Sequence, residues 1–179
     1  IAELCEGLPV SAESTATTAE GMIEEGKRLA ALAPNIVVKL PVCEAGLAAC
    51  RALADAGVRV NMTLVFSPTQ ALMAANAGAR YISPFVGRFD DIAEDGISQL
   101  DNVVTCIKNY DWTGKNVDDT VEIITASVRT PNHVTQAALL GADIATVPMA
   151  ALKKCLHHPL TDQGLASFEA DWKKVVEAQ

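Results

Sequence analysis

A repeated unit constrains this chain more than any other feature: a short β-branched run, a loop, then an alanine-rich amphipathic stretch. Strand starts recur near residues 10, 36, 59, 80, 121 and 143. Strands alternating with helices at this rhythm predict right-handed βαβ units and a parallel sheet. A doubly wound sheet and a closed barrel both satisfy the pattern. No Gly-rich phosphate loop follows the first strand, which weakens the dinucleotide-binding version.

Local punctuation supports the same units. The first strand reads over 9–13, and Thr17-Thr18-Ala19-Glu20 opens a helix that runs to about Leu32, where Pro34-Asn35 ends it. Strands are expected over 36–40, 58–63, 80–83, 121–126 and 143–147. Helices are expected over 44–56, 97–110, 132–140, 149–155 and 162–176, with Gly57 and Gly141 closing two of them. Ser67-Pro68 starts a further helix, with Pro at the first helical position, where its missing N–H is harmless. Residues 90–95 read as an acidic loop and 111–119 as a polar connection.

Half of the 179 residues are hydrophobic and 4% aromatic, as expected for alanine-rich helices around a Val/Ile-rich sheet in one globular domain. Fourteen Lys and Arg against 22 Asp and Glu leave a net charge of −8, which makes nucleic acid and anionic membranes poor partners. No apolar run spans a bilayer and no leader opens the chain, so it reads as cytoplasmic. The five cysteines form no C-x-x-C pair and have no histidine at metal-ligand spacing, so no metal site is expected and reduced, mostly buried thiols are.

Polar residues concentrate at the C-terminal ends of the strands: Glu13, Lys39, Asn61, Thr63, Ser83, Arg88, Ser127 and Arg129. In parallel α/β barrels the active site is assembled at that face. Lys39 is flanked by Ile36-Val37-Val38 and Leu40-Pro41-Val42, so a mostly dry setting is expected, favouring a neutral, nucleophilic amine. The alternative is a lysine that snorkels to solvent or pairs with Glu13. Arg88 and Arg129 offer forked donors for a phosphate, or else pair with carboxylates such as Asp90 and Asp91. Cys43, the His157-His158 pair and Asp90-Asp91 are set aside, for want of a base, a buried setting and further ligands respectively.

With those residues in hand, a resemblance becomes specific. Asn35-Ile36-Val37-Val38-Lys39-Leu40-Pro41 resembles the Schiff-base lysine strand of the transaldolase family. Asn61-Met62-Thr63-Leu64-Val65-Phe66-Ser67 and Tyr81-Ile82-Ser83-Pro84-Phe85-Val86-Gly87-Arg88 are similar to its two most recognisable segments. Ala126-Ser127-Val128-Arg129, the run from Leu140 to Pro148, and His158-Pro159-Leu160-Thr161-Asp162 match later ones. The small-subunit branch, which also holds fructose-6-phosphate aldolases, is the nearest, from about Pro9 onward.

The resemblance implies a (β/α)8 TIM barrel and a transaldolase of the pentose phosphate pathway that needs no cofactor. Lys39 would form an iminium with a ketose phosphate, and Glu13 with Thr63 and a water would shuttle protons. Asn61 and Ser83 would bind the dihydroxyacetone hydroxyls, and Arg88, Ser127 and Arg129 would clamp the phosphate. The related aldolases carry Gln and Tyr where this chain has Glu13 and Phe85, so transfer is favoured over simple cleavage. The family's first two strand–helix units bring an aspartate base and a Thr-Thr-Asn-Pro-Ser segment. Neither motif occurs here, and the chain is expected to supply six of eight units as a single domain over 1–179, its own start lacking. Aldolase-type cleavage and a catalytically silent barrel fragment serving only in assembly are the alternatives. A homo-oligomeric ring is implied as well; the stretch from Phe168 to Val176, with Trp172, would either reach a neighbour or cover its own barrel.

Overall fold

Val- and Ile-rich runs form the strands because branched side chains suit a sheet covered on both faces, and hydroxyl-capped alanine-rich segments form the helices between them. The computed structural model describes residues 1–177. Its order is β1 (Val10–Glu13), α1 (Ala19–Ala30), β2 (Ile36–Pro41), α2 (Glu44–Asp55), β3 (Val60–Val65), α3 (Pro68–Asn76), β4 (Tyr81–Pro84), α4 (Gly87–Asp90) and α5 (Gly96–Lys108). Then follow β5 (Glu122–Thr125), α6 (Pro131–Leu140), β6 (Ile144–Ala145), α7 (Met149–Leu156) and α8 (Pro159–Glu177).

All neighbouring strands pair in parallel, in the spatial order β1-β2-β3-β4-β5-β6. Sequential order rules out the reversal of a doubly wound sheet. The sheet curls into a partial (β/α) barrel, open between β1 and β6. The main core lies between the curl and its helices, where Leu40, Leu53, Met62, Ile82, Leu100 and Ile107 are fully buried. Helices α1 and α2 approach closely because Gly26 has no side chain; a Cβ there would stand 2.8 Å from Leu53 Cδ1. None of the helices is long and apolar enough to cross a membrane, among the described residues.

The helix starts follow local chemistry. Thr18 Oγ1 accepts from Gly21 N, Ser67 Oγ from Gln70 N, and Thr130 Oγ1 from His133 N, with Pro68 and Pro131 in the first turns. Gly141 closes α6 in the left-handed region (φ 82°).

Several boundaries differ from the sequence reading. The third strand starts at Val60, not at residue 58, because Val58 N is already used by Leu53 O at the end of α2. The sixth strand shrinks to Ile144–Ala145, bounded by Asp143, whose carboxylate accepts from Ile123 N and Lys108 Nζ, and by the approach to Pro148. The one-turn α4 falls where a loop was expected to begin. The last helix starts at Pro159, which sits in its first turn.

The N-terminal ends of the strands carry their own charges. Arg59 grips Asp118 with two hydrogen bonds (2.8 and 3.1 Å), and Arg80 bonds Glu122 (2.7 Å) while its guanidinium lies over the Tyr81 ring. Asn116 Nδ2 donates to Ala79 O and Thr120 O. This network pins the 111–119 connection beneath the sheet. The sequence reading found polar residues only at the opposite end.

Candidate active site at the strand ends

Parallel register decides which side chains meet. Glu13 stands beside Lys39, Lys39 beside Asn61, and Pro41 beside Thr63. Strand alternation then turns Ser11, Glu13, Lys39, Asn61, Thr63 and Ser83 to the inside of the curl. Together with Phe85 and Ser127 they line a cavity of about 280 Å³. Seven of the nine residues named from sequence are thus brought together.

Lys39 does not sit in the dry setting its sequence neighbours suggested. Its side chain is 26% exposed, and Nζ donates to Glu13 Oε2 at 2.9 Å. The apolar flanks of Lys39 face the helices, whereas the cross-strand neighbour is a carboxylate. That pair puts an amine and a proton acceptor on one wall of the cavity.

Beside that pair runs a polar chain. Ser83 Oγ donates to Asn61 Oδ1 (2.7 Å), and Asn61 Nδ2 donates to Ser11 Oγ (3.0 Å). With both its ends engaged, the amide of Asn61 has a fixed orientation, although it is 3% exposed. Ser11 was missed by the sequence reading; its position two residues before Glu13, on the same strand face, was the available signal. Thr146 also lines the cavity and was missed. The buried Thr63 hydroxyl lines the cavity and has no hydrogen-bond partner among the described residues. Just beyond it Leu64 takes φ 58° where the β3–β4 register shifts, a bulge that bends β3 at the cavity edge.

Phe85 closes the wall between β4 and β5, bridging Ala126 and standing 5.8 Å, centroid to centroid, from Phe66. The two arginines do not line the cavity. They stand on the turns that follow Phe85 and Ser127. The Arg88 guanidinium lies 5.8 Å over the Phe85 ring and has no carboxylate partner among the described residues. Arg129 is held by Asp91, Nη2 donating to Oδ2 at 2.7 Å and Nη1 to Oδ1. Hydrogen bonding from Arg129 holds the Asp91 carboxyl below the usual carboxylate range, and the same bond raises the guanidinium.

These two turns approach closely. A Cβ on Gly87 would stand 2.3 Å from Ser127 O and 2.7 Å from Arg129 Nε, so only glycine fits. Ser127 itself takes φ 58°. Asp90 lies 3.1 Å from His133 Nε2. With Asp90 and Asp91 so engaged, neither forms a group of three or more metal-binding side chains among the described residues. Against the expectation of mostly buried thiols, only Cys50 of the five cysteines is buried; Cys155 and Cys43 are exposed, because they sit at helix ends away from the core, the Cys43 sulfur accepting from Gly46 N at the start of α2.

Comparison with known proteins points the same way as the geometry. The family profile described as "Transaldolase/Fructose-6-phosphate aldolase" matches residues 1–179. A Thermus thermophilus protein named probable transaldolase is 57% identical over 174 residues, which cover 96% of this chain and 75% of that protein. A Lysinibacillus sphaericus protein of the same name is 53% identical over 97% of this chain and 77% of its own length. One from Bdellovibrio bacteriovorus, also named probable transaldolase, is 48% identical over 97% and 79%.

Proposed function

Because the chain belongs to the transaldolase/fructose-6-phosphate aldolase family, we propose that it transfers a dihydroxyacetone unit between sugar phosphates through a Schiff base on Lys39. The observation that carries this reading is the Lys39–Glu13 pair in a cavity that Asn61, Ser83 and Thr63 also line.

Glu13 takes a proton from the ammonium, and the freed amine attacks the C2 carbonyl of a ketose phosphate. The carbinolamine loses its hydroxyl as water, Glu13 and the free Thr63 hydroxyl handling the protons, and an iminium results. Electrons from the C3–C4 bond flow into that iminium as the C4 hydroxyl passes its proton to a base, the role that the resemblance gives to the aspartate of the family's first strand–helix unit. An aldose phosphate leaves and an enamine stays on Lys39. Addition to a second aldehyde and hydrolysis return the enzyme. Asn61 and Ser83 hold the dihydroxyacetone hydroxyls, and Arg88, Ser127 and Arg129 take the phosphate at the cavity rim.

Phe85 favours transfer over cleavage, since its ring supplies no proton donor beside the enamine and keeps that side apolar. The same reading makes the chain one domain of a barrel, acting in the pentose phosphate pathway in the cytoplasm as a homo-oligomer. For assembly, the support is that no described residue of α8 is buried, while Leu165, Phe168 and Trp172 are exposed along it.

Borohydride trapping with fructose 6-phosphate tests the chemistry. A dihydroxyacetone-sized mass on Lys39, absent in Lys39→Ala, is expected. An adduct that survives Lys39→Ala, or none at all on the wild-type chain, sinks the reading. Efficient release of free dihydroxyacetone without an acceptor would instead favour the aldolase.

A further inference from the structure

His133 is 7% exposed and has no role in the chemistry above. It lies in the first turn of α6, where its own backbone N–H donates to the Thr130 cap. Its ring reaches two ways. Nδ1 accepts from the backbone N–H of Arg129 at 3.3 Å, and Nε2 stands 3.1 Å from Asp90 Oδ2. A ring that accepts at Nδ1 carries its proton on Nε2, so the side facing Asp90 is the donor side.

Asp90 ends the turn that carries Arg88, and Arg129 follows Ser127 on the next strand's turn. The two turns are already in contact at Gly87, whose Cα lies against Ser127 O and Arg129. Asp91 adds a second link, to the Arg129 guanidinium. Backbone bonds from Val86 N to Ala126 O and Gly87 N to Ser127 O join the two segments further back; the imidazole is a buried tie nearer the guanidinium groups and, among the described residues, the one link to the Arg129 backbone rather than its flexible side chain.

We propose that His133 is a positioning residue: it sets the spacing of Arg88, Ser127 and Arg129 and so the affinity for a phosphate group, without touching substrate. This rests on the anion-clamp part of the proposed function. A merely helix-capping histidine would affect stability, or all ligands alike. A tie between the two turns falls chiefly on the phosphate, because Lys39, Glu13 and Asn61 stand on other strands and only Ser83 and Phe85, upstream of Arg88, share its segment.

The test compares two ligands that differ in the phosphate. Calorimetric titration with inorganic phosphate reads the clamp without any chemistry, and borohydride trapping with unphosphorylated dihydroxyacetone reads Lys39 without the clamp. His133→Leu is expected to weaken phosphate binding by about tenfold or more, a displacement of about 1 Å being enough for such a loss. Trapping should stay within about twofold of wild type, since only the clamp has been moved.

His133→Asn places an amide oxygen near Nδ1 and keeps the Arg129 link; His133→Gln places an amide nitrogen near Nε2 and keeps the Asp90 contact. Each should give an intermediate loss, and they carry the comparison if His133→Leu fails to fold. Unchanged phosphate affinity in these variants, or trapping that falls in parallel with it, overturns the tie. So does a wild-type chain that binds no phosphate. A wild-type chain that binds phosphate, loses it on these substitutions, yet gives no Lys39 adduct would leave the tie standing and remove the sugar chemistry.

Discussion

Lys39 Nζ and Glu13 Oε2 lie 2.9 Å apart across the β1–β2 pair, in register, with the carboxylate the more exposed of the two (52% against 26%). The arrangement gives the amine an immediate proton acceptor that remains open to solvent. An acid buried with it would be held in a closed ion pair; this one can pass its proton on.

Glu13→Gln removes the acceptor while keeping the shape. Its kcat should fall on the order of 10²-fold with KM little changed, as for other lost general acid–base groups. Single-turnover trapping should then show slow imine formation. A kcat within about twofold of wild type would remove Glu13 from the proton path.

Phe85→Tyr places a phenol where the wall is now apolar. Free dihydroxyacetone release relative to transfer should rise on the order of tenfold, a placed proton donor being worth at least that. The check is product partition with and without an acceptor aldehyde. An unchanged ratio would mean that the ring does not face the enamine.

Gly87→Ala forces a methyl against Ser127 O and Arg129 Nε. Overpacking of this kind costs on the order of 1–3 kcal/mol, read as a lowered denaturant midpoint. The two arginine turns must separate, so KM for phosphorylated donors should rise more than trapping of dihydroxyacetone falls. Equal losses on both would argue for general loosening.

Glu25 gives a pH dependence of stability. Its carboxylate accepts from Ser14 Oγ (2.5 Å), Thr15 N (2.8 Å) and Ala16 N (3.1 Å), tying the segment after β1 to α1. These bonds, the Ser14 hydroxyl foremost, hold its pKa at about 2 against an ordinary 4.5. A folded value below the unfolded one means stability present above 4.5 and lost as pH falls from there through about 2. The Tm gap between wild type and Glu25→Gln should therefore be constant near neutrality and close in that acid window. A gap that does not narrow would show that the carboxylate is not the group that titrates.

The units of the fold were legible because their signals are local. Thr18, Ser67 and Thr130 cap with their own hydroxyls, and Gly141 takes a φ other residues avoid. What escaped depends on contacts between distant segments. Whether Val58 starts a strand is decided by Leu53 O, and the length of β6 by Asp143. In the site, a lysine within an apolar run stood out; of the two settings the sequence left open, a dry one and a pairing with Glu13, the neighbouring strand supplies the second. Ser11 looks like any strand serine until Asn61 is seen to reach it. His133 looks like a surface residue in a first turn. Its burial follows from the contact of two turns that the sequence does not show.

The Arg59–Asp118 and Arg80–Glu122 pairs lie at the ends of the strands remote from Lys39. The ion pairs that hold the 111–119 connection and the proposed reactive pair of Lys39 and Glu13 thus sit at separate poles of the same sheet. Changes at such distances combine almost independently. A variant hardened at the lower pole should keep its substrate preferences, and a change at the mouth should alter the melting point only where, as at Gly87, it forces backbone segments apart.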